Sequence, residues 1–324
     1  MKFVYVLTSC EKDLYYEQFL LSVFSLKFYN PDADIVVLYD NKTKKSLINK
    51  RTTYEKYISN SISISTPDYL NQKQASRWIK TSVNNYISDD FLYIDCDTII
   101  SDSLNYNFLK EISIAAVLDT HVSLDKHHLI KNFQNEDKNS GFSSSFNLNS
   151  RFNGGIIFCR DNSQGHNFYK KWHSLYIEGL KKKCSQDMPS LNQANYEMDN
   201  IIKELPGEWN CQISHNGLPY LSNAKIIHYY ATSLLSSHPA FILASQTNLS
   251  IIKEKGEIPD EILKYIRNPK TAFDLESRII SGKEVLDVVN SNLFSKLLWI
   301  RKKLPNVFSF MNKLSLFIKN PTHN

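Results

Sequence analysis

The chain has 324 residues, 42% hydrophobic and 22% charged, which is the composition of an ordinary globular protein with one large domain or two modest ones. It contains only 9 glycines, which argues against folds built on repeated glycine-rich phosphate loops, and its net charge of +5 is too small to indicate a nucleic-acid partner. The five cysteines form no CxxC pair, so we expect neither a zinc site nor a disulfide framework, and a reducing compartment is favoured.

The first hundred residues alternate between strand and helix patterns. Phe3–Leu7 is an apolar run typical of a buried strand and too short for the core of a signal peptide. The apolar residues that follow at helical spacing are Tyr16, Phe19, Leu20, Val23 and Leu26. Ile35–Tyr39 is a second buried strand, so this β-α-β opening predicts a parallel sheet with a right-handed crossover. The next predicted elements are a weak strand at Ile62–Ile64, a helix from about Gln74 to Ile87, and strands at Phe91–Ile94 and Ile112–Leu118.

The second half begins with a long polar segment, residues 120–152, which we predict to be a mobile loop that closes over the site. The elements predicted after it are a strand that follows Asn153-Gly154-Gly155 and ends at Cys159, helices at about His166–Lys181 and Asp187–Ile202, and a last strand near Lys225–Ile227. We therefore place one domain at residues 1–245 and a helical region at residues 246–324. No apolar run approaches the length of a membrane span, and we expect a cytoplasmic protein.

Polar side chains stand where the predicted strands end. The residues at these positions are Thr8, Ser9, Asp40, Asp95, Asp97, Asp119 and His228. Because ligands of open α/β sheets bind beyond the carboxyl ends of the strands, we expect these side chains to converge on one cleft.

Two aspartates, Asp95 and Asp97, directly follow the apolar strand Phe91–Ile94. Side chains two residues apart on an extended segment point the same way, so both carboxylates can bind one cation. Mg²⁺ and Mn²⁺ prefer such oxygen ligands and also bind diphosphate oxygens. In sugar transfer, this cation neutralises the charge that grows on the leaving nucleoside diphosphate. The pair therefore predicts a metal-dependent transferase that uses a nucleotide sugar, with Mn²⁺ or Mg²⁺ as its cofactor.

A phosphatase of the haloacid-dehalogenase type is the main alternative, because that class also has a strand followed by Asp-x-Asp-Thr. Asp95 would then be the nucleophile and Asp97 the acid. In that class the motif normally opens the domain and a later Gly-Asp or Asp-Asp supplies the metal site, whereas here the motif begins at residue 95 and neither dipeptide follows. A second alternative is a non-catalytic protein that has the fold of such a transferase and binds nucleotide sugars or membranes.

Five stretches between residues 3 and 230 carry a resemblance to a known family. They are the opening strand with Thr8-Ser9, Ala75–Lys80, Leu92–Thr98 with the trailing Asp102-Ser103-Leu104, Phe152–Gly155, and Asp187–Asn192. In this order they resemble the family-8-type glycosyltransferases, which include bacterial lipopolysaccharide galactosyl- and glucosyltransferases and glycogenin. The resemblance implies an α/β fold of the GT-A-like Rossmannoid type, with a mixed, mostly parallel sheet flanked by helices and a helical C-terminal extension. It also implies transfer of a hexose from a UDP-sugar to a hydroxyl of a cell-surface glycan, which is a lipopolysaccharide, a capsule or a similar polymer.

The resemblance also implies roles for particular residues. Contacts to the nucleotide sugar fall on Thr8, Ser9, Asp40, Arg77, Lys80, Asp95, Cys96, Asp97, Gly154 and Gly155. Asn153 and Asp187 face the donor sugar and, with Asp119, are the candidate catalytic residues. His228 ends the last strand where the family supplies a third metal ligand beside Asp95 and Asp97.

The sequence departs from the family after His228, where the family has a glycine and then a lysine that binds the diphosphate. Here residues 229–234 contain neither. Either the metal acts alone on the diphosphate or another cation replaces the lysine; the candidates are Arg77, Arg151 and a lysine of residues 120–152.

A second departure concerns the mechanism. The residue after Asp187 is Met188 where the family has glutamine, and because methionine cannot be a nucleophile, double displacement through this position is excluded. We expect retention by same-face attack, in which the leaving diphosphate accepts the acceptor's proton. The alternative is inversion, with Asp119, Asp187 or Glu208 as general base.

The C-terminal residues have a basic, amphipathic pattern. No aspartate or glutamate occurs after Asp287, and apolar residues recur every three or four positions from Leu293 to Ile318, with Pro305 as a break. The pattern predicts one or two amphipathic helices that either pack on the body or lie on an anionic membrane through residues 291–319. The membrane alternative implies a protein bound peripherally to the inner face of the cell membrane, with a lipid-linked glycan as acceptor.

Overall fold

The computed structural model describes residues 1–127, 129–230, 241–274, 287–289 and 291–315. The chain forms two compact units. The first contains Met1–Ala231 and Phe241–Ala272, and the second contains the two C-terminal helices. None of the helices within the described ranges is both long enough and apolar enough to cross a membrane.

The strands of the first unit form two sheets. In chain order they are β1 (Lys2–Leu7), β2 (Asp34–Asp40), β3 (Asn60–Ile64), β4 (Phe91–Ile94), β5 (Thr98–Ile100), β6 (Ile114–Leu118), β7 (Phe152–Cys159), β8 (Lys203–Glu204), β9 (Cys211–Gln212) and β10 (Ile226–His228). The main sheet has the order β3-β2-β1-β4-β7-β6-β8, and the small sheet has the order β5-β10-β9. In the main sheet only β7 is antiparallel to its neighbours, β4 and β6. The predicted α/β fold with a mixed, mostly parallel sheet flanked by helices is therefore confirmed.

Helices of the first unit flank the main sheet, most of whose strands are buried. In that unit they are α1 (Tyr15–Tyr29), α2 (Asn41–Ser46), α3 (Gln72–Thr81), α4 (Ile130–Ser140), α5 (Ser144–Asn147), α6 (Ser163–Lys181), α7 (Asp187–Glu197), α8 (Gln246–Lys255) and α9 (Asp260–Ile266). The helices of the second unit are α10 (Asn292–Lys303) and α11 (Pro305–Ser315). All eight residues of β7 are buried, and Trp172 of α6, which is fully buried, packs in the same apolar core. The apolar runs of the strands thus form the core, and the site lies at their polar ends.

Several predicted boundaries differ from the structure, and three differences concern the elements around the site. The helix predicted to reach Ile87 ends at Thr81, because Ser82 turns its hydroxyl back onto the carbonyl oxygens of Trp78 and Ile79. The helix predicted to reach Ile202 ends at Glu197. Gly154 and Gly155, which are predicted to precede a strand, lie inside β7. Glycine is suited to these positions because neighbouring side chains come close to the backbone of the strand.

Residues 120–152 are more ordered than the predicted loop, because they contain α4 and α5. Asp137 is fully buried, and its Oδ2 accepts hydrogen bonds from Ser144 Oγ at 2.9 Å and Ser145 N at 2.7 Å, which ties the two helices together. The Arg151 guanidinium lies 3.8 Å from the ring centroid of Phe133. Polar composition led to the prediction of a loop, but these buried polar contacts stabilise a folded segment.

Candidate active site

The small sheet brings three candidate metal ligands together. Asp95 and Asp97 lie in the turn between β4 and β5, and β10 pairs with β5 so that His228 lies opposite Thr98. Asp95, Asp97 and His228 each place one ligand atom within 4.8 Å of the other two. His228 Nε2 is 3.4 Å from Asp97 Oδ1. Two carboxylates and an imidazole at this spacing fit a divalent cation, and the site is therefore a candidate metal centre.

The electrostatics of the acidic pair favour a cation. Burial raises the pKa of Asp95, Asp97 raises it further, and Lys80 opposes both effects. Two carboxylates that repel each other in a partly buried site gain free energy when a cation neutralises them. Asp95 Oδ1 also accepts a hydrogen bond from Tyr93 Oη at 2.5 Å, which fixes the direction of the carboxylate.

A buried ion-pair network adjoins the metal-binding residues. Lys80 Nζ lies 3.2 Å from Asp95 Oδ1 and 2.9 Å from Asp187 Oδ2. Arg77, one helical turn earlier on α3, places its Nε 3.2 Å from Asp187 Oδ1. Lys80 thus lies between the metal-binding aspartate and the aspartate that begins α7.

This network shifts the pKa values of its members. Burial alone would raise the pKa of Asp187, but Lys80 and Arg77 outweigh it and lower the pKa to about 2. Burial alone would lower the pKa of Lys80, but Asp187 and Asp95 raise it. Both groups are therefore charged at neutral pH, and Asp187 is a weak base.

Comparisons with known proteins place this geometry in a known fold. No protein-family model matches the sequence, and no curated protein matches it. Among solved structures, the galactosyltransferase LgtC in complex with donor and acceptor sugar analogues matches at a TM-score of 0.51 and 14% identity, over 81% of this chain and 98% of that chain. An active-site mutant of LgtC matches at a TM-score of 0.52 and 15% identity, with the same coverage.

The chain has the GT-A glycosyltransferase fold. The identities are low, so the likeness concerns the path of the chain and not the chemistry of individual side chains. Within this GT-A fold, the acidic cluster lies at the carboxyl end of β4, the edge at which open α/β sheets bind ligands.

The predicted nucleotide-binding residues at the ends of β1 and β2 form a second group around α2. Asp40 caps α2 by accepting a hydrogen bond from Thr43 N at 2.8 Å. Thr8 is joined to α3, because its carbonyl oxygen accepts from Gln72 Nε2 at 2.9 Å. Ser9 is 3% exposed and its polar atoms already have partners, which are Thr43, Ser46, Asp13 and Arg51. Ser9 therefore joins the end of β1 to α2.

Two other predicted residues have their polar atoms engaged. The Cys96 thiol is partly buried, donates to Val6 O at 3.3 Å, and has a pKa that burial raises well above its usual range, so it stays protonated at neutral pH. Asp119 is 6% exposed and lies near His127 Nε2 at 3.4 Å and Arg151 Nε at 3.8 Å. Burial would raise the pKa of Asp119, but these neighbours and Asn153 lower it.

The two glycines of β7 allow close approach to the charged cluster. A Cβ at Gly154 would lie 3.3 Å from both Asp187 Oδ2 and Lys80 Nζ, and a Cβ at Gly155 would lie 2.5 Å from His228 Cε1. The structure therefore brings the predicted residues of β4, α3, β7, α7 and β10 together at one edge.

Sequence reasoning missed several residues at this edge. Tyr15 is 42% exposed at the start of α1, and its pKa is raised by burial and by the charges of Asp13 and Asp97. Arg51 is buried and donates to Ser9 Oγ and Ser46 Oγ beside the ring of Tyr16. In the sequence, Tyr15 is an aromatic residue that follows a polar stretch, and this pattern could have drawn attention to it. The burial of Arg51 is visible only in the fold.

Proposed function

We propose that this protein is a metal-dependent glycosyltransferase that moves a hexose from a UDP-sugar to a hydroxyl of a cell-surface glycan. The observation that carries the proposal is the cluster of Asp95, Asp97 and His228, whose ligand atoms lie within 4.8 Å of one another at the ligand-binding edge of a GT-A fold. LgtC, with which the chain shares this fold, is a galactosyltransferase that was solved with donor and acceptor sugar analogues.

Asp95, Asp97 and His228 would hold the cation. A set of two carboxylates and one imidazole suits Mn²⁺ better than Mg²⁺, which keeps mainly to oxygen ligands. When bound, the ion supplies positive charge to the diphosphate as that group leaves.

The remaining residues of the edge would hold the donor. Thr8 and Asp40 lie where a nucleoside would meet the ends of β1 and β2, and the exposed ring of Tyr15 offers a stacking surface for the base. Gly154 leaves room for the sugar beside Asp187.

Lys80 is the cation that replaces the missing family lysine in this proposal. Its Nζ lies 3.2 Å from a metal-binding carboxylate and is held there by Asp187. Arg77 pairs with Asp187 and donates from Nη1 to Ser185 O at 2.8 Å, so it supports α7. A fixed ammonium beside the metal stabilises the growing negative charge of the leaving group without reorganisation.

We propose retention of configuration by same-face attack, because two of the three candidate general bases are weak bases. Asp187 and Asp119 have lowered pKa values and charged neighbours, which makes both poor general bases. In the proposed step the bond between the anomeric carbon and the diphosphate oxygen breaks. The acceptor oxygen then bonds to the same face, and its proton passes to the leaving diphosphate.

The test of this function is a turnover assay with UDP-glucose and UDP-galactose, with and without Mn²⁺. We expect release of UDP only when Mn²⁺ is present. Hydrolysis of p-nitrophenyl phosphate with no release of UDP would instead support the phosphatase alternative. Binding of UDP without any Mn²⁺-stimulated release would support the non-catalytic alternative.

We further propose that residues 120–152 contribute to the acceptor site and that the second unit binds an anionic membrane. None of the described residues of α10 and α11 is buried, and both helices carry large apolar side chains. The exposed fractions are 69% for Leu293, 50% for Trp299 and 62% for Phe310. Lysine and arginine residues lie between them, a pattern that binds acidic lipids by charge and by insertion. Such binding would hold the enzyme at the inner face of the cell membrane, near a lipid-linked acceptor.

The membrane proposal predicts the behaviour of a double variant of the full chain. Replacing Trp299 and Phe310 by serine should weaken binding to phosphatidylserine-containing vesicles by at least about tenfold, because each inserted aromatic ring contributes about 1.5–3 kcal/mol. Co-sedimentation measures the binding, and Tyr69→Ser, at a ring 77% exposed in the first unit, is the matched control. Equal binding of the wild type and the double variant would contradict the proposal.

A further inference from the structure

The side chain of Asn153 has no polar atom left for a donor sugar. Its Oδ1 accepts hydrogen bonds from Gly155 N at 2.8 Å and from Asn210 Nδ2 at 2.9 Å. Its Nδ2 donates to Asp119 Oδ1 at 3.1 Å and to Tyr230 Oη at 2.8 Å. An amide accepts about two hydrogen bonds and donates two, so this 2% exposed side chain is fully engaged. Its hydrogen-bond partners indicate that it positions other side chains.

The orientation of two amides follows from one backbone group. Gly155 N–H can only donate, so the atom of Asn153 that faces it must be the carbonyl oxygen. Asn210 must then present its NH₂ group to that same oxygen. Its own oxygen consequently faces His228 Nδ1 at 2.9 Å. Because that oxygen can only accept, Nδ1 of His228 must carry the proton.

This tautomer leaves the other ring nitrogen ready to bind a metal. With the proton on Nδ1, Nε2 of His228 presents its lone pair toward Asp97, whose Oδ1 is 3.4 Å away. The ring plane is held as well. Tyr230 stacks on it with a centroid separation of 4.1 Å and an angle of 14°, and Gly155 leaves no Cβ to push it away.

Tyr230 joins the same network from the other side. Its hydroxyl accepts from Asn153 Nδ2 and donates to Gln212 Oε1 at 2.7 Å. Its backbone has a φ of 49°, in the left-handed region that a tyrosine rarely adopts. The strain is tolerated because these hydrogen bonds and the stacked ring hold Tyr230 in place.

We propose that Asn153 and Asn210 are positioning residues that set the tautomer and the direction of His228, and that Asn153 does not contact the donor sugar. The proposal rests on the proposed function only for the role of His228 as a metal ligand. Hydrogen-bonded partners behind a metal-binding histidine typically change metal affinity about 10- to 100-fold when they are removed.

The first test reads the tautomer directly, in the metal-free protein. The full chain is labelled with nitrogen-15 at histidine, and the His228 signals are assigned by their loss in His228→Gln. We expect the long-range proton–nitrogen spectrum to show a protonated Nδ1 in the wild type. In Asn210→Ala the fixed acceptor is lost, so the Nε2-protonated form should appear. A wild-type His228 that carries its proton on Nε2 would overturn the proposal.

The second test measures Mn²⁺ affinity from the electron paramagnetic resonance signal of free Mn²⁺. Asn210→Ala should weaken binding about 10- to 100-fold. Asn195→Ala is the matched control, because Asn195, like Asn210, is a buried asparagine with a hydrogen-bonded side chain. Its Oδ1 accepts from Ile202 N at 2.9 Å, but it lies on α7. Equal affinities of Asn210→Ala and Asn195→Ala would overturn the proposal. If the wild type binds no Mn²⁺ while the tautomer is as expected, the proposed function fails and the positioning of His228 stands.

Discussion

Asp97→Ala should lower the Mn²⁺-dependent release of UDP from a UDP-hexose by about 1000-fold, equivalent to about 4 kcal/mol of transition-state stabilisation. The substitution removes one of the three side chains that can hold the cation. The cation site therefore loses one ligand and one negative charge. Asp95 remains, but it is paired with Lys80. The loss should appear in kcat, because the charge on the diphosphate develops in the transition state.

Asp89→Ala is the matched control for this prediction. Asp97 follows the carboxyl end of β4, whereas Asp89 precedes the amino end of that strand. Asp89 forms an exposed ion pair with Lys2 at 2.8 Å. Such pairs contribute little to stability or function, so this variant should turn over like the wild type. Undiminished turnover in Asp97→Ala would remove the metal from the mechanism.

Lys80→Met should lower the free energy of unfolding by about 3–5 kcal/mol, because it leaves the buried Asp187 and the partly buried Asp95 without the cation between them. The Lys80 side chain is only 8% exposed and that of Asp187 only 9%, so solvent screens this interaction weakly. Urea-induced unfolding, followed by circular dichroism without metal, measures the change. Because the pKa of Lys80 is raised in the folded protein, its contribution should be constant from about pH 7 to 10 and should be lost only at higher pH.

Lys73→Met provides the comparison on the same helix. Lys73 is exposed at the start of α3, so its replacement by methionine should change the free energy of unfolding by less than about 0.5 kcal/mol. If Lys80→Met and Lys73→Met unfold at the same urea concentration, the proposed charge network does not contribute to stability.

Most strands of the main sheet could be predicted from the sequence, because they are apolar runs bounded by polar residues. The exception is β8 (Lys203–Glu204), which contains no apolar residue. The prediction for β4 agrees with the structure at both ends. The small sheet could not be predicted, since β5 has three residues and β9 has two, too few for any periodicity. Yet pairing with β5 is what brings His228 beside Asp97, so the metal-binding cluster depends on contacts that the sequence does not display.

The cations of the site illustrate a second limit. Arg77 and Lys80 are three residues apart and share one face of α3, so the sequence could not tell which of them reaches Asp95. The structure shows that Lys80 does, and that both contact Asp187. The resemblance likewise placed Asn153 against the sugar. Its hydrogen bonds to Asn210 and Tyr230 join residues far apart in the chain, which only the fold brings together.

The most direct test of the account is pulsed electron paramagnetic resonance of Mn²⁺ bound to the full chain in the presence of UDP. We expect a nitrogen coupling from the His228 ring, which disappears in His228→Gln, and a phosphorus coupling from the diphosphate on the same ion. A Mn²⁺ spectrum with neither coupling would contradict the central claim that this cluster binds a cation and, through it, the donor.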